Sequence, residues 1–256
     1  MKRFLNKYKK LILLGALILG VAFFLRLYKL TLLPIFADEA IYVRWAQVMR
    51  AEETLRFLPL SDGKQPLFMW SVIPFLKIFT DPLFAGRFLS VLSGIATIIG
   101  VFVSSKLLFK SQKVALIASA IAAISPFMVF FDRMALVDSL LTTTAVWTFY
   151  LSIVTAKTLR LDMAMLTGFA LGASFLTKSP ALFFAILLPA AILVVDWPAK
   201  GKERFIVLSR FVFLTGVSLL IGYGIYNIMR LGPNFHLLSS RNLDYVYPYT
   251  HILESP

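Results

Sequence analysis

The sequence contains no cysteine, which excludes disulfides, thiolate metal sites and cysteine nucleophiles. Histidine is nearly absent, with two residues, and acidic side chains are scarce, 13 against 26 Lys and Arg. His236 and His251 lack metal-ligand spacing and read as ordinary loop residues. No phosphate-binding Walker loop, dinucleotide-binding glycine fingerprint, zinc-protease helix or nucleophile elbow is present, so soluble-nucleotide and hydrolase mechanisms lack support. Internal repeats, low-complexity tracts and linkers are also missing.

What is abundant is apolar side chain. Hydrophobic residues make up 59% of 256 and the mean hydropathy is +0.82, more than a water-soluble core can hide. The solvent is therefore lipid. A net charge of +13 would suggest nucleic acid in a soluble chain, but here the basic residues interrupt long apolar runs at intervals, as orienting charges of a membrane protein do. No nucleic-acid partner is expected.

Apolar segments long enough to approach a hydrocarbon core of about 30 Å fall near 11–30, 87–105, 114–131, 135–155, 163–177, 180–196 and 205–229. The sequence thus predicts an all-α integral membrane protein, a single domain over 1–256 with about seven spans. The first reads as a retained signal anchor, because the basic stretch Met1 to Lys10 and the apolar Leu11 to Leu25 are followed by no convincing cleavage site. Pro66 to Phe79 is too short to cross and reads as re-entrant or interfacial. Charge agrees. With that segment not spanning, Lys2, Arg3, Lys7, Lys9, Lys10, Lys106, Lys110, Lys113, Lys157, Arg160, Lys200, Lys202, Arg204 and Arg210 fall on one side, cytoplasmic by the positive-inside bias. The N-terminus is then cytoplasmic, in a multi-pass protein of the cell membrane.

Two longer polar segments consequently lie outside, the loop 31–86 and the tail 230–256. Within the loop, Glu39 to Met49 places Ile41, Trp45 and Val48 on one helical face, as in an interfacial helix lying at the membrane surface. The tail mixes aromatics with Arg241, Asn242 and Asp244, suited to sugar stacking or to interfacial anchoring.

This topology gathers Asp38, Glu39, Lys64, Arg87, Arg133, Asp138 and Lys178 on or near the outer face. Charges at the ends of spans mark cavities or partners, although Arg87 and Lys178 are also placed to snorkel. Asp138, near the start of a span, and Asp38, ahead of the surface helix, also suit helix-N-terminal stabilisation. Asp38 and Glu39 are adjacent, so their side chains point about 100° apart on a helix and at most one faces a given centre.

Five segments in order carry a family resemblance: Phe36-Ala37-Asp38-Glu39-Ala40, Asp62-Gly63-Lys64-Gln65-Pro66-Leu67, Ala85-Gly86-Arg87-Phe88, Arg133-Met134-Ala135-Leu136-Val137-Asp138 and Leu176-Thr177-Lys178-Ser179-Pro180. Together they resemble polytopic glycosyltransferases of the GT-C class, in particular bacterial protein-mannosyltransferase and aminoarabinose-transferase relatives. The resemblance runs from about Arg26 to Val195, and Leu231 to His236 is similar to an outer loop of bacterial members.

It implies a GT-C-type helical bundle with interfacial helices in the outer loop. The activity implied is inverting transfer of a sugar from a polyprenyl-phosphate donor to a lipid, glycan or protein acceptor on the extracytoplasmic side, among membrane lipids. The catalytic acidic residues of the first loop fall on Asp38 and Glu39, with Asp38 as general base. Lys64, Arg87, Arg133 and Lys178 then hold the lipid phosphate, and Asp138 orients acceptor or sugar. A divalent metal ion is the one cofactor to consider, but Gly63 stands where relatives often have an acidic residue and Gln65 intervenes before Pro66; no metal ligand is assigned. Relatives continue through further helices, so the chain is expected to lack their C-terminal part. The rival reading is a transporter or lipid-phosphate-binding protein that uses the same charges to hold cargo without breaking a bond.

Overall fold

A computed structural model describes residues 2–243, with side chains from Lys9 to Arg241. Every regular element among them is helical. Helix α1 (Lys2–Leu27) leads through an irregular segment into α2 (Ala37–Ala51), then the short α3 (Leu67–Val72) and α4 (Phe75–Ile78). The long α5 (Pro82–Phe109) follows, then α6 (Gln112–Ile124), α7 (Pro126–Asp132) and α8 (Val137–Thr158). Helices α9 (Leu161–Phe175), α10 (Ala181–Leu187), α11 (Gly201–Tyr226) and α12 (Leu237–Leu243) are the last α-helices among the described residues.

Helices at residues 9–27, 82–109, 137–158 and 201–231 are long and apolar enough to cross a membrane. The expected span at 114–131 is not one straight helix: α6 and α7 meet at a 59° bend. The cause is Pro126, which lacks an N–H and drives Ser125 out of helical geometry (φ −55°, ψ 119°). Counted as one span, the pair gives five. The two remaining expected spans are shorter apolar elements, Leu161–Phe175 and Ala181–Val194. Fifteen residues of α9 rise about 22 Å, less than a straight crossing needs. In the other element Leu188–Val194 tightens to a 3₁₀ helix, which recovers some length at about 2 Å per residue.

The bundle packs sequentially: α11 on α9, α9 on α8, α8 on α5, α5 on α6, and α1 against α5 and α6. Starts and stops follow local chemistry. Asp81 caps α5, its Oδ1 accepting from the Leu83 N–H at 2.9 Å ahead of a proline at the first helical position.

Residues 28–81 form a layer over one end of the bundle. Its core combines Tyr42, Val43, Ala46 and Met49 of α2 with Phe68, Met69 and Val72 of α3, Ala85 and Leu89 of α5, and Met134 to Val137. The inward face of α2 thus differs from the sequence expectation: positions 39, 42, 43, 46 and 49 are buried, Ile41 is exposed, and Trp45 and Val48 are half-buried. Pro66 to Phe79 does not form a spanning helix; it is broken between α3 and α4, where Pro74 stands. Residues 227–238 fold back onto this layer, Met229 and Leu238 packing with Leu60 and Leu176.

Candidate functional site

The charged residues singled out by the sequence separate into two groups. One is sealed inside the protein. Glu39 and Arg87 are both 0% exposed and face each other in a bidentate pair, Arg87 Nε and Nη2 each donating to a Glu39 carboxylate oxygen at 2.8 Å. Glu39 also accepts the Ala135 N–H at 2.6 Å and the Phe36 N–H at 3.0 Å. Arg87 donates further to the carbonyls of Leu30, Leu33 and Pro34 at 2.9, 3.0 and 3.2 Å. Burial pushes the Glu39 carboxyl up, but the hydrogen bonds from Arg87, Ala135 and Phe36 outweigh it and hold the carboxyl below its ordinary value. Every polar atom of the pair is engaged. The structure thus places Glu39, expected in catalysis, and Arg87, expected on a phosphate, away from the cavity surface: their polar atoms are engaged with each other and with the backbone, and together they tie residues 30–39 to α5 and to the segment before α8.

Arg133, expected on the phosphate, is likewise engaged with the backbone. Its Nη1 donates to the carbonyls of Leu25 and Tyr28 at 2.7 and 2.9 Å and its Nη2 to Lys29 at 3.0 Å. It satisfies the carbonyls that the end of α1 leaves unpaired. Beside it lies an ion pair that the sequence did not signal. Arg26, fully buried, donates to Asp132 at 2.9 Å and to the Ala123 carbonyl at 2.8 Å. A Cβ on Gly94 would stand 2.2 Å from Asp132 Oδ2, so only glycine leaves that carboxylate its room.

The second group opens to the surface. A cavity of about 720 Å³ is lined by Asp38, Tyr42, Gly63, Lys64, Gln65, Val137, Thr177, Lys178, Ser179, Pro180, Leu182, Phe183 and Arg241. Three of the predicted residues, Asp38, Lys64 and Lys178, stand on its wall, and Asp138 joins them through Lys178, whose Nζ lies 2.8 Å from Asp138 Oδ1. Lys64 Nζ is 3.3 Å from Asp38 and 3.4 Å from Asp62. It also lies 4.9 Å from the Tyr42 ring centre and 5.7 Å from that of Trp45, within cation–π range. Burial pulls the Lys64 ammonium down, but Tyr42, Asp38 and Asp62 more than offset this and raise it above 10.5. Lys64 therefore stays charged at neutral pH. Asp38 is nearly half exposed, 45% for its side chain, and so presents a carboxylate oxygen to the cavity.

Three further residues shape the wall. Gln65 donates to Ser179 Oγ at 2.8 Å, and the Leu67 N–H donates to the Leu176 carbonyl at 2.9 Å, so the first loop is stitched to the turn after α9. Arg241 of α12 pairs with Asp62, closing one flank. Gly63 takes a left-handed φ of 61°, with the Arg241 side chain and Leu237 carbonyl where a Cβ would stand, both at 2.7 Å. Arg241 was visible in the sequence only as part of the aromatic-rich tail. Its pairing with residue 62 is a long-range contact that no local pattern encodes.

No group of three or more His, Asp or Glu side chains converges as a metal donor set among the described residues. Asp38, Asp62 and Asp138 each face a lysine or arginine instead. His236 is exposed, and His251 and Asp244 lie outside the described residues.

In a solved structure, the Saccharomyces cerevisiae protein O-mannosyltransferase Pmt1–Pmt2 complex bound to the sugar donor, one chain superposes with a TM-score of 0.64 at 18% identity. The alignment covers 90% of this chain and 34% of that one, so this protein spans about a third of its structural relative. The likeness establishes a shared all-helical GT-C fold in a multi-pass membrane protein. No curated protein matches by sequence. A family model described as dolichyl-phosphate-mannose-protein mannosyltransferase matches residues 63–223, more than half of the sequence and most of the cavity wall, and the chain accordingly belongs to that family of GT-C glycosyltransferases.

Proposed function

We propose that this protein carries the donor site of a membrane glycosyltransferase that moves a sugar from a polyprenyl-phosphate carrier to an acceptor hydroxyl on the extracytoplasmic side of the cell membrane. The reading rests chiefly on one observation: the exposed carboxylate of Asp38 and the enclosed ammonium of Lys64 sit 3.3 Å apart on the wall of one cavity. Transfer of this type needs both charges together.

In this reading Asp38 takes the proton of the acceptor hydroxyl as its oxygen bonds to the anomeric carbon. The bond from that carbon to the phosphate oxygen breaks, and the carrier leaves as a polyprenyl phosphate. Lys64 stabilises the charge developing on the departing oxygen, and Lys178, oriented by Asp138, holds a second phosphate oxygen. Attack opposite the leaving group inverts the anomeric centre. Gln65 and Arg241 keep the two sides of the cavity in register. Glu39, Arg87 and Arg133 take no part in bond-making and serve to place Asp38. The carboxylates at the site are already paired with cations, so no step is routed through a metal.

The test is transfer of radiolabelled sugar from a panel of polyprenyl-phosphate sugars, with the purified protein in lipid and Asp38→Asn as control. Carrier binding is measured in parallel. Transfer that collapses in Asp38→Asn while binding persists is the expected result. Carrier binding equal in both proteins, with no transfer from any donor by the full-length chain, replaces this reading with a lipid-phosphate binder or transporter.

A further inference from the structure

At the opposite end of the bundle from the cavity, α1, α5 and α6 enclose a second groove of about 360 Å³, lined by Leu11, Gly15, Ile18 and Leu19 of α1, Ile98, Ile99 and Phe102 of α5, and Leu116 and Ser119 of α6. Its floor offers no free polar atom: the Ser119 hydroxyl is buried and donates to the Ala115 carbonyl at 2.8 Å. From Leu11 to Leu19 the α1 wall runs about 12 Å along the helix axis, enough for a stretch of acyl chain.

The charges around its mouth are of one sign. Lys106 follows Phe102 by four residues on α5 and Lys113 precedes Leu116 by three on α6, so each stands one turn beyond a lining residue on the same helical face. Lys10 directly precedes Leu11. All three are exposed, and among the described residues none has an ion-pair partner. There is no acidic residue in 1–37 or between Asp81 and Asp132, the stretches that contain α1, α5 and α6. The acidic residues Asp162 and Glu203, at the first turns of α9 and α11, are taken by Arg160 and Lys200. An apolar slot whose polar end carries three uncompensated cations is complementary to one amphiphile, an anionic glycerophospholipid.

We propose that the α1–α5–α6 groove is a binding site for an anionic glycerophospholipid, with an acyl chain along Gly15 and the headgroup phosphate between Lys10, Lys106 and Lys113. The positive-inside bias accounts for lysines at this end in general. It does not account for their placement one turn beyond an open groove, on the faces that line it. The site is independent of the sugar-transfer reading and of which leaflet the groove faces.

Native mass spectrometry of the full-length protein, exchanged with equimolar phosphatidylglycerol and phosphatidylcholine of identical acyl chains, tests this directly. We expect phosphatidylglycerol to be retained in at least roughly fivefold preference, the effect of about one well-placed cation. Lys10→Gln/Lys106→Gln/Lys113→Gln abolishes the preference, and arginine at the same three positions restores it. Gly15→Phe, whose Cβ meets nothing within 4 Å, fills the slot without changing charge and lowers retention. A glutamine variant that no longer elutes as a folded monodisperse species is replaced by Gly15→Phe and the arginine variant, which decide alone. Equal retention of both lipids by the wild type overturns the proposal, as does a preference that survives Gly15→Phe.

Discussion

Replacing Arg87 by methionine isolates the contribution of the sealed pair, because the change removes charge and hydrogen bonds while keeping most of the apolar stem. The Glu39 carboxylate then keeps only the N–H groups of Ala135 and Phe36, and the carbonyls of Leu30, Leu33 and Pro34 lose their Arg87 donor. Breaking a buried ion pair from one side costs about 3–5 kcal/mol, a large share of the roughly 5–15 kcal/mol by which a folded protein exceeds its unfolded state. The sign with pH is specific. In the wild type the lowered Glu39 carboxyl contributes stability that is complete above its unfolded value of about 4.5 and is lost as pH falls through the lower folded value. In Arg87→Met the orphaned carboxyl is pushed up by burial, so protonation relieves the variant and the gap between the two proteins narrows on acidification. Thermal unfolding in lipid nanodiscs from pH 7.5 to 4.5, for wild type, Arg87→Met, Glu39→Gln and the double variant, reads both effects. A loss below about 1 kcal/mol, or the two single changes adding without coupling in the double variant, would refute the buried-pair account.

The other predictions concern the cavity and its supports. Lys64→Met should weaken binding of a polyprenyl phosphate by roughly tenfold, read by titration in lipid. Because Lys64 is raised above 10.5, carrier binding by the wild type should show no Lys64 titration between pH 6 and 9; a loss of affinity centred in that window would contradict the assignment. Gly94→Ala forces a Cβ to 2.2 Å from Asp132, and should lower the unfolding temperature by several degrees, whereas a neutral result would mean that the Arg26–Asp132 pair shifts freely. Gly63→Ala combines a left-handed φ of 61° with contacts of 2.7 Å and should cost more than about 1 kcal/mol. It should also expose the 237–243 segment to proteolysis, and unchanged protease resistance would count against the docking of α12.

How much of this was legible in advance differs by length scale. Spans, and the failure of Pro66 to Phe79 to cross, follow from hydropathy and charge, because lipid leaves the backbone no alternative to helix. The 59° bend at Pro126 was written in the sequence but read as one span, since apolar counting ignores a missing N–H. The face of α2 was misplaced because Tyr42, Ala46 and Met49 bury against α3 and α5, and an interfacial helix with lipid on one side and protein on the other has two apolar faces to choose between. The charged residues were found but not sorted. Exposure alone separates Asp38 from Glu39, and exposure depends on partners 48 and 96 residues away. Arg26–Asp132 went unseen because an arginine at a span terminus reads as snorkelling until its partner is known.

The neighbouring acidic residues Asp38 and Glu39 make sense as a pair with divided labour. One helical residue turns the side chain by about 100°, so a carboxylate locked inward by four donors, two on Arg87 and one each on Ala135 and Phe36, with Arg87 itself held by three carbonyls, fixes the direction of the next one outward. Rotating the helix to bring Glu39 toward the cavity would strand Arg87 in a place with 0% exposure, at the cost of an unpaired buried charge. The register of α2 is thus held by electrostatics at its first turn. A carboxylate on a flexible loop would lose the fixed approach that general-base chemistry requires; in the proposed reaction the fixity comes from residue 39 and the reactive oxygen from residue 38. The distinction has an experimental consequence. Glu39→Gln should lower both unfolding temperature and transfer, with transfer partly recovered by second-site changes that stabilise the 28–36 segment. Asp38→Asn should leave the unfolding temperature within about a degree and abolish transfer beyond any such rescue. If stabilising changes rescue Asp38→Asn equally well, the two carboxylates share one role and the division proposed here fails.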